Sequence, residues 1–233
     1  AVEPDMRIEI WSDVVCPWCY LGARRLTAAI GQFVEAYPDA RPTVHFRAYE
    51  LDPGAPAEPR PMRPVIERKY GPGAFDSMTA RLTALGVAEG IEYRFEDTLR
   101  VNTFDAHRLL AWAGAIDDGS LEGSSIDHDG GSGVQQRLSD ALFRAYFTEG
   151  RNVADRVTLI EICRQAGLDP EAAAEVLESG GFAEEVRTDE ETARDLDITG
   201  VPATVVDGRL LVPGAQEVAT FARVLERAAA SMR

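Results

Sequence analysis

Hydrophobic and polar residues alternate at the start of the chain and then change to a helical spacing. Residues 7–11 (RIEIW) alternate in the manner of a half-buried strand. From about Pro17 to Tyr37 the apolar residues recur on one helical face, until Pro38 interrupts them. Residues 43–51 (TVHFRAYEL) alternate again. A strand, a helix and a second strand in this order predict a βαβ unit with parallel strands and a right-handed crossover.

The middle of the chain has a different pattern. A Pro-rich connector at residues 53–64 leads into a long region in which no strand is predicted. Helical spacing recurs there at about residues 65–70, 74–85, 104–115, 135–148, 158–166 and 170–178. Residues 117–133 are poor in apolar side chains and rich in Gly, Ser and Asp, so we expect them to form a mobile surface loop between two helices.

Strands return only at the end of the chain. After a predicted helix at about residues 184–196, two short apolar runs at 203–206 and 209–212 flank Asp207-Gly208, which is a strong hairpin signal. A final helix is predicted over residues 217–232. The pattern therefore predicts an α/β fold whose sheet is divided by an all-helical insertion. We assign residues 6–60 and 184–233 to the sheet domain and residues 61–183 to an inserted helical domain.

Composition narrows the possible partners and the compartment. Hydrophobic residues make up 45% of the 233 residues, enough to bury a core without disulfide staples. Only three cysteines are present, which is typical of a cytoplasmic protein with reduced thiols. The formal net charge of −15 argues against nucleic-acid or anionic-membrane partners. No apolar run is long enough to span a membrane. The oligomeric state remains open.

Two cysteines separated by two residues form the strongest chemical motif, Cys16-Pro17-Trp18-Cys19, where the first strand gives way to the first helix. A thiolate at a helix N-terminus is stabilised by free backbone N–H groups and by the helix dipole. We therefore expect Cys16 to attack and Cys19, one turn into the helix, to be more buried and to resolve the mixed disulfide. Pro17 suits the first helical turn. The rival interpretation is half of a zinc site, but Cys163 and three histidines offer no second paired spacing, so no metal is expected.

A second motif, Gly200-Val201-Pro202, precedes the strand predicted at residues 203–206. It is either an ordinary turn or a cis-proline turn. A cis-proline turn would place the Val201 backbone against the two thiols and offer hydrogen-bonding edges to an extended substrate. We predict the cis form at Pro202.

Several segments resemble a known family. Residues 12–22 (SDVVCPWCYLG) resemble the active-site signature of FrnE-like proteins in the DsbA family. Further matches follow in the family's order at residues 46–51 (FRAYEL), 102–107 (NTFDAH), 200–203 (GVPA) and 214–216 (GAQ). The resemblance implies a thioredoxin-like fold with a helical insertion. It also implies thiol–disulfide oxidoreductase or isomerase activity on disulfide-containing proteins or small thiols. It implies no bound cofactor, although glutathione is a candidate co-substrate.

Two other functions stay open at this point. One is a glutathione-dependent isomerase or transferase of the 2-hydroxychromene-2-carboxylate isomerase or kappa-class type, with a role in aromatic polyketide metabolism. Those proteins resemble the same fold but typically carry Ser at the position of Cys16. The other is a holdase-like binding module that uses an apolar cleft around Trp18.

Four further residues have two interpretations each. Asp13 either relays a proton to the dithiol or caps the turn, and His107 is either a structural histidine or part of the active-site wall. Cys163 is either a core thiol, which we favour, or a redox partner. Trp18 is either an exposed apolar lip beside the thiols or a packing residue. The corresponding motif of DsbA, which this one resembles, is Cys-Pro-His-Cys, so Trp18 replaces the histidine. An indole offers one N–H, whereas a histidine can also add positive charge. We therefore expect a weaker oxidant than DsbA.

Overall fold

The computed structural model describes residues 6–56, 58–121 and 133–231. Its strands are β1 (Arg7–Ser12), β2 (Thr43–Ala48), β3 (Arg60–Pro61), β4 (Leu99–Arg100), β5 (Ala203–Val206) and β6 (Leu210–Pro213). Its helices are α1 (Pro17–Ala36), α2 (Met62–Tyr70), α3 (Ala74–Ala88), α4 (Phe104–Asp117), α5 (Val134–Phe147), α6 (Arg156–Gln165), α7 (Pro170–Ser179), α8 (Ala183–Asp195) and α9 (Val218–Ala230).

Strands from the two ends of the chain form one four-stranded sheet, in the order β2-β1-β5-β6. Strand β1 runs parallel to β2, with Ile10 opposite Phe46, and antiparallel to β5, with Ile10 opposite Thr204. A parallel neighbour requires a crossover, which α1 supplies. The predicted βαβ unit and the predicted division of the sheet by a helical region are both confirmed.

Helices cover both faces of this sheet. Alternate side chains of β1 point to opposite faces. Ile8 and Ile10 join a large core cluster that includes Leu225 of α9, and α9 packs against α1. Trp11 instead packs in a smaller cluster with Ala193 of α8. Because both faces are covered, every residue of β5 is buried.

The helices between β4 and β5 pack on one another and on the sheet. Helix α4 contacts α5, α7 and α8, and both α4 and α5 lie against β2. The large core cluster continues from the sheet into these helices through Leu109, Leu142 and Leu159. The domain boundaries at residues 60/61 and 183/184 therefore stay a prediction.

Two differences from the sequence pattern have physical causes. Strand β2 ends at Ala48, not at Leu51, and the N–H of Leu51 donates instead to Oδ2 of Asp13 at 2.8 Å. The second difference is the short antiparallel ladder of β3 and β4, in a region where no strand was predicted. A two-residue strand is too short to produce a detectable alternation of polar and apolar residues.

The sequence predicted a hairpin turn at Asp207-Gly208 and a loop at residues 117–133. Asp207 and Gly208 both have positive φ, at 51° and 64°, so the hairpin turn lies where the sequence predicted it. Its predicted length of two residues is wrong, because Val206 pairs with Leu210 and β6 begins at Leu210 rather than at Arg209. The predicted loop at residues 117–133 falls mostly outside the described residues. At its two ends, the Asp117 carboxylate accepts the N–H groups of Val134 at 2.7 Å and of Gln135 at 2.9 Å, and α5 begins there.

Candidate active site

Cys16 occupies the N-cap position of α1. Its backbone is extended, at φ −90° and ψ 112°, and Pro17 follows in the first helical turn. The Sγ of Cys16 accepts the backbone N–H of Cys19 at 3.3 Å, in the way that a serine or aspartate side chain caps a helix. The sulfur therefore lies at the N-terminal end of α1, beside the positive end of the helix dipole.

The Gly200-Val201-Pro202 turn lies directly against Cys16. The Cys16 thiol donates to the backbone carbonyl of Val201 at 3.7 Å, and the Val201–Pro202 peptide bond is cis, as expected from the sequence. The turn can approach α1 this closely because Gly22 of α1 has no side chain. A Cβ atom added to Gly22 would lie 3.2 Å from Cγ of Pro202, so a glycine suits this position.

Cys19 and Cys16 are both buried, to nearly the same degree. The two residues are 2% and 4% exposed respectively, and neither they nor Cys163 forms a disulfide. Burial, followed by the neighbouring Cys16 sulfur, raises the pKa of Cys19 well above its ordinary value. Hydrogen bonds from the Asp13 backbone and the Ser12 side chain oppose this rise without cancelling it. Cys19 is therefore a protonated thiol that must lose a proton before it can act as a nucleophile.

Asp13 and His107 form a buried pair behind the dithiol. The Nε2 atom of His107 lies 3.1 Å from Oδ1 of Asp13. The sequence segment that contains Asp13 also positions Cys16, because the backbone N–H of Cys16 donates to the Asp13 carbonyl at 3.0 Å. The structure thus brings together two residues that are 94 positions apart and that the sequence indicated separately.

Further charged groups surround this pair. The buried carboxylate of Glu50 pairs with Arg187 at 2.7 Å, and Arg187 also pairs with Glu190 at 2.8 Å. A small cavity with a largely apolar lining is also bordered by the polar side chains of Ser12, Arg47, His107, Ser139 and Asp189. Burial is the largest influence on Asp189 and raises the pKa of its carboxyl group. The cavity thus places the Ser139 hydroxyl, the His107 imidazole and the Asp189 carboxyl group near Ser12, whose side chain contacts Cys19.

Trp18 is half-buried and packs against the edge of the large core cluster. The guanidinium of Arg81, on α3, lies 5.7 Å from the centre of its indole ring, within the range of a cation–π contact. The residue between the cysteines thus both packs against the protein and remains partly accessible.

Sequence reasoning missed Asp189, Ser139 and Arg187, and it also missed Tyr93, which contacts the segment between the two cysteines. The hydroxyl of Tyr93 donates to the carbonyl of Pro17, between the two cysteines, at 2.6 Å. Tyr93 belongs to the segment between α3 and the 3₁₀ turn at Phe95–Asp97, which has neither helical nor strand-like spacing. No pattern in the sequence connects this segment with the cysteine motif.

The remaining candidates lie elsewhere. Cys163 is fully buried in the core on α6, where burial raises its pKa to about 12. Within residues 6–56, 58–121 and 133–231, no group of three or more His, Cys, Asp or Glu side chains could hold a metal ion. No helix among these residues is long and apolar enough to cross a membrane.

Comparison with known proteins identifies the family to which this fold belongs. The model of the DSBA-like thioredoxin domain family matches residues 7–226. The crystal structure of a probable DsbA oxidoreductase, SCO1869 from Streptomyces coelicolor, is 36% identical in sequence, with a TM-score of 0.80 over 96% of this chain and 89% of that one.

Two more distant structures share the fold. The cytosolic disulfide reductase DsbM from Pseudomonas aeruginosa, also solved with GSH, is 17% identical, with a TM-score of 0.61 over 95% of this chain and 97% of its own. A 2-hydroxychromene-2-carboxylate isomerase is 15% identical, with a TM-score of 0.62 over 95% of each chain. From the family match and the first of these likenesses, the chain belongs to the DSBA-like thioredoxin domain family.

Proposed function

We propose that this protein is a thiol–disulfide oxidoreductase or isomerase that acts through the Cys16–Cys19 dithiol. The observation that carries the proposal is the position of Cys16, whose sulfur caps α1 by accepting the N–H of Cys19 at 3.3 Å. At the same time its thiol faces the Val201 carbonyl at 3.7 Å. A stabilised thiolate, a resolving thiol and an adjacent backbone edge are the parts that disulfide exchange needs.

The exchange proceeds in two displacements. The Cys16 thiolate attacks one sulfur of a substrate disulfide, which forms a mixed disulfide and releases the other substrate sulfur as a thiolate. Cys19, once deprotonated, attacks Cys16 Sγ, which releases the second substrate thiolate and leaves a Cys16–Cys19 disulfide. Two electrons pass from the dithiol to the substrate. The reverse sequence oxidises a substrate dithiol. If a different thiolate of the substrate attacks the mixed disulfide before Cys19 does, it forms a rearranged substrate disulfide and releases the Cys16 thiolate.

The Asp13–His107 pair supports the second displacement. Ser12 contacts the Cys19 thiol and lines the same small cavity as His107. A proton from Cys19 can therefore pass by way of the Ser12 hydroxyl and the cavity to the buried pair. In this scheme the Asp13 carboxylate accepts the proton, and His107, which is hydrogen-bonded to that carboxylate, is a positioning residue.

The substrate is a disulfide-containing protein or a small thiol, and glutathione is the proposed co-substrate that reduces or forms the mixed disulfide. Val201 and Pro202 support this assignment because the Val201 backbone borders the Cys16 sulfur. A peptide disulfide or glutathione has the extended backbone that such an edge can bind. The likeness to 2-hydroxychromene-2-carboxylate isomerase is one of fold alone, and Cys16 stands where a serine hydroxyl is typical of that class.

Insulin reduction by dithiothreitol tests this function. The wild-type protein is expected to accelerate precipitation of the insulin B chain, and Cys16→Ser is expected to abolish the acceleration. Cys163→Ser is the matched control, because it removes a thiol that is buried away from the dithiol, and it should retain the activity. Equal activity of Cys16→Ser and wild type would overturn the proposed mechanism.

A further inference from the structure

Tyr93 reaches the active-site loop from outside the sheet. Its hydroxyl donates at 2.6 Å to the carbonyl of Pro17, the residue directly after Cys16. The same peptide unit carries the N–H of Trp18, which lies in the first turn of α1, where backbone N–H groups lack intrahelical acceptors. Tyr93 therefore contacts the backbone that separates the two cysteines.

The ring of Tyr93 is held tightly in this position. A Cβ atom on Gly86 of α3 would lie 2.5 Å from Cδ2 of Tyr93, so the ring lies directly against the helix backbone. Phe95 stacks on the ring with centroids 4.8 Å apart, and Phe147 meets it edge to face at 5.4 Å. Tyr20, on the first turns of α1, makes a further edge contact at 5.8 Å. The hydroxyl is therefore aimed by packing on all sides of the ring.

The hydroxyl remains a donor across the working range of pH. Burial, and then the neighbouring Tyr20, Cys16 and Cys19, raise the pKa of Tyr93 far above its ordinary value. The phenol therefore keeps its proton and directs it to the Pro17 carbonyl. A hydrogen bond to a carbonyl polarises its peptide unit, which makes the attached N–H of Trp18 a stronger positive pole beside Cys16.

We propose that Tyr93 is a positioning residue for the dithiol, which holds the loop between the cysteines and favours the Cys16 thiolate through the Pro17–Trp18 peptide. This inference rests on the proposed disulfide exchange and adds to it a control of the reduction potential. Since the thiolate belongs to the reduced form, loss of the hydroxyl destabilises that form. The dithiol then becomes more reducing.

The test is the equilibrium constant between the dithiol and its disulfide in glutathione redox buffers. Tyr93→Phe removes only the hydroxyl and is expected to shift the constant toward the disulfide about three- to tenfold. Tenfold corresponds to about 30 mV for a two-electron couple. Tyr146→Phe is the matched control, because its hydroxyl is also in a buried aromatic cluster but donates to Leu99 at 2.7 Å. This control should keep the wild-type constant.

A second variant guards against loss of structure in the first. Gly86→Ala keeps the hydroxyl but displaces the ring, and it is expected to shift the constant in the same direction. A wild-type constant in Tyr93→Phe would overturn the role of the Tyr93 hydroxyl, whatever the constant of Gly86→Ala, and would leave the dithiol mechanism intact. If the wild-type protein itself forms no disulfide in these buffers, the proposed function fails.

Discussion

The imidazole Nε2 of His107 lies 3.1 Å from Oδ1 of Asp13, and the two side chains are only 2% and 1% exposed. Burial alone would lower the pKa of His107, but the hydrogen bond and charge of Asp13 outweigh it, with help from Glu50 and Glu190. The pKa of His107 is therefore raised above its ordinary value of 6.5. Asp189 faces the same imidazole from α8. The folded protein thus binds this proton more tightly than the unfolded chain does.

We predict that this proton makes stability fall as pH rises. Because the folded pKa of His107 is the higher one, its contribution is fully present below pH 6.5 and is lost as pH rises through the folded pKa. Urea unfolding between pH 6 and pH 9 measures this loss, and His107→Gln should remove it. His45→Gln is the control, because burial and two arginines lower the pKa of His45, so its contribution changes only below pH 6.5. Equal slopes for wild type and His107→Gln would contradict the prediction.

We predict that alkylation distinguishes the three cysteines. Cys16 caps a helix N-terminus, whereas burial raises the pKa of Cys19 well above its ordinary value and that of Cys163 to about 12. Iodoacetamide at pH 7 should therefore modify Cys16 first, as measured by peptide mass spectrometry over time. Urea-unfolded protein is the control, in which all three should react at similar rates. Preferential labelling of Cys19 in the folded protein would contradict the assignment of the nucleophile.

We predict that Trp18 makes the dithiol less oxidising than that of DsbA. An indole offers one N–H and no positive charge, whereas an imidazole can donate a hydrogen bond and carry a charge beside the thiolate. The potential should therefore lie below the value of about −120 mV for DsbA. Trp18→His should raise it, and Trp18→Phe is the control that removes the N–H without adding charge. A Trp18→His potential equal to or below the wild-type value would contradict this account.

The sequence predicted the fold where polar and apolar residues followed a regular pattern over consecutive positions. The alternation over β1 and β2, the helical spacing of α1 and the Asp207-Gly208 turn predicted their elements, and the resemblance to the DsbA family is confirmed. The sequence could not indicate contacts that depend on packing between distant segments. The pairing of Asp13 with His107 and the contact of Tyr93 with Pro17 join residues 94 and 76 positions apart. Their side chains carry no periodic signal, so only the folded structure reveals them.

Gln135 makes another contact between distant segments that the sequence did not predict. Its side chain covers the outer edge of the sheet, at strand β2. Its amide accepts the N–H of Phe46 at 2.8 Å and donates to the carbonyls of Phe46 and Leu110, both at 3.0 Å. Strand β2 lies at the end of the sheet, so Gln135 satisfies backbone groups that a further strand would otherwise pair.

We predict that Gln135→Ala lowers the free energy of unfolding by about 3 kcal/mol, because it leaves buried backbone groups of Phe46 without partners. The neighbouring variant Gln136→Ala is the control. Its half-buried side chain donates to the Thr27 hydroxyl at 3.1 Å, near the surface, so its loss should cost less than about 0.5 kcal/mol. Urea denaturation of both variants measures the difference. Equal stability of the two would show that the edge of β2 does not depend on Gln135.

The most direct measurement is the site of the mixed disulfide. Cys19→Ala cannot resolve the intermediate, so after reaction with oxidised glutathione it should accumulate one glutathione adduct on Cys16, located by peptide mass spectrometry. Cys16→Ala should accumulate none on Cys19, because burial raises the pKa of that thiol and keeps it protonated. Wild-type protein should instead pass to the Cys16–Cys19 disulfide. An adduct that forms on Cys19 or Cys163 while Cys16 stays free would contradict the account.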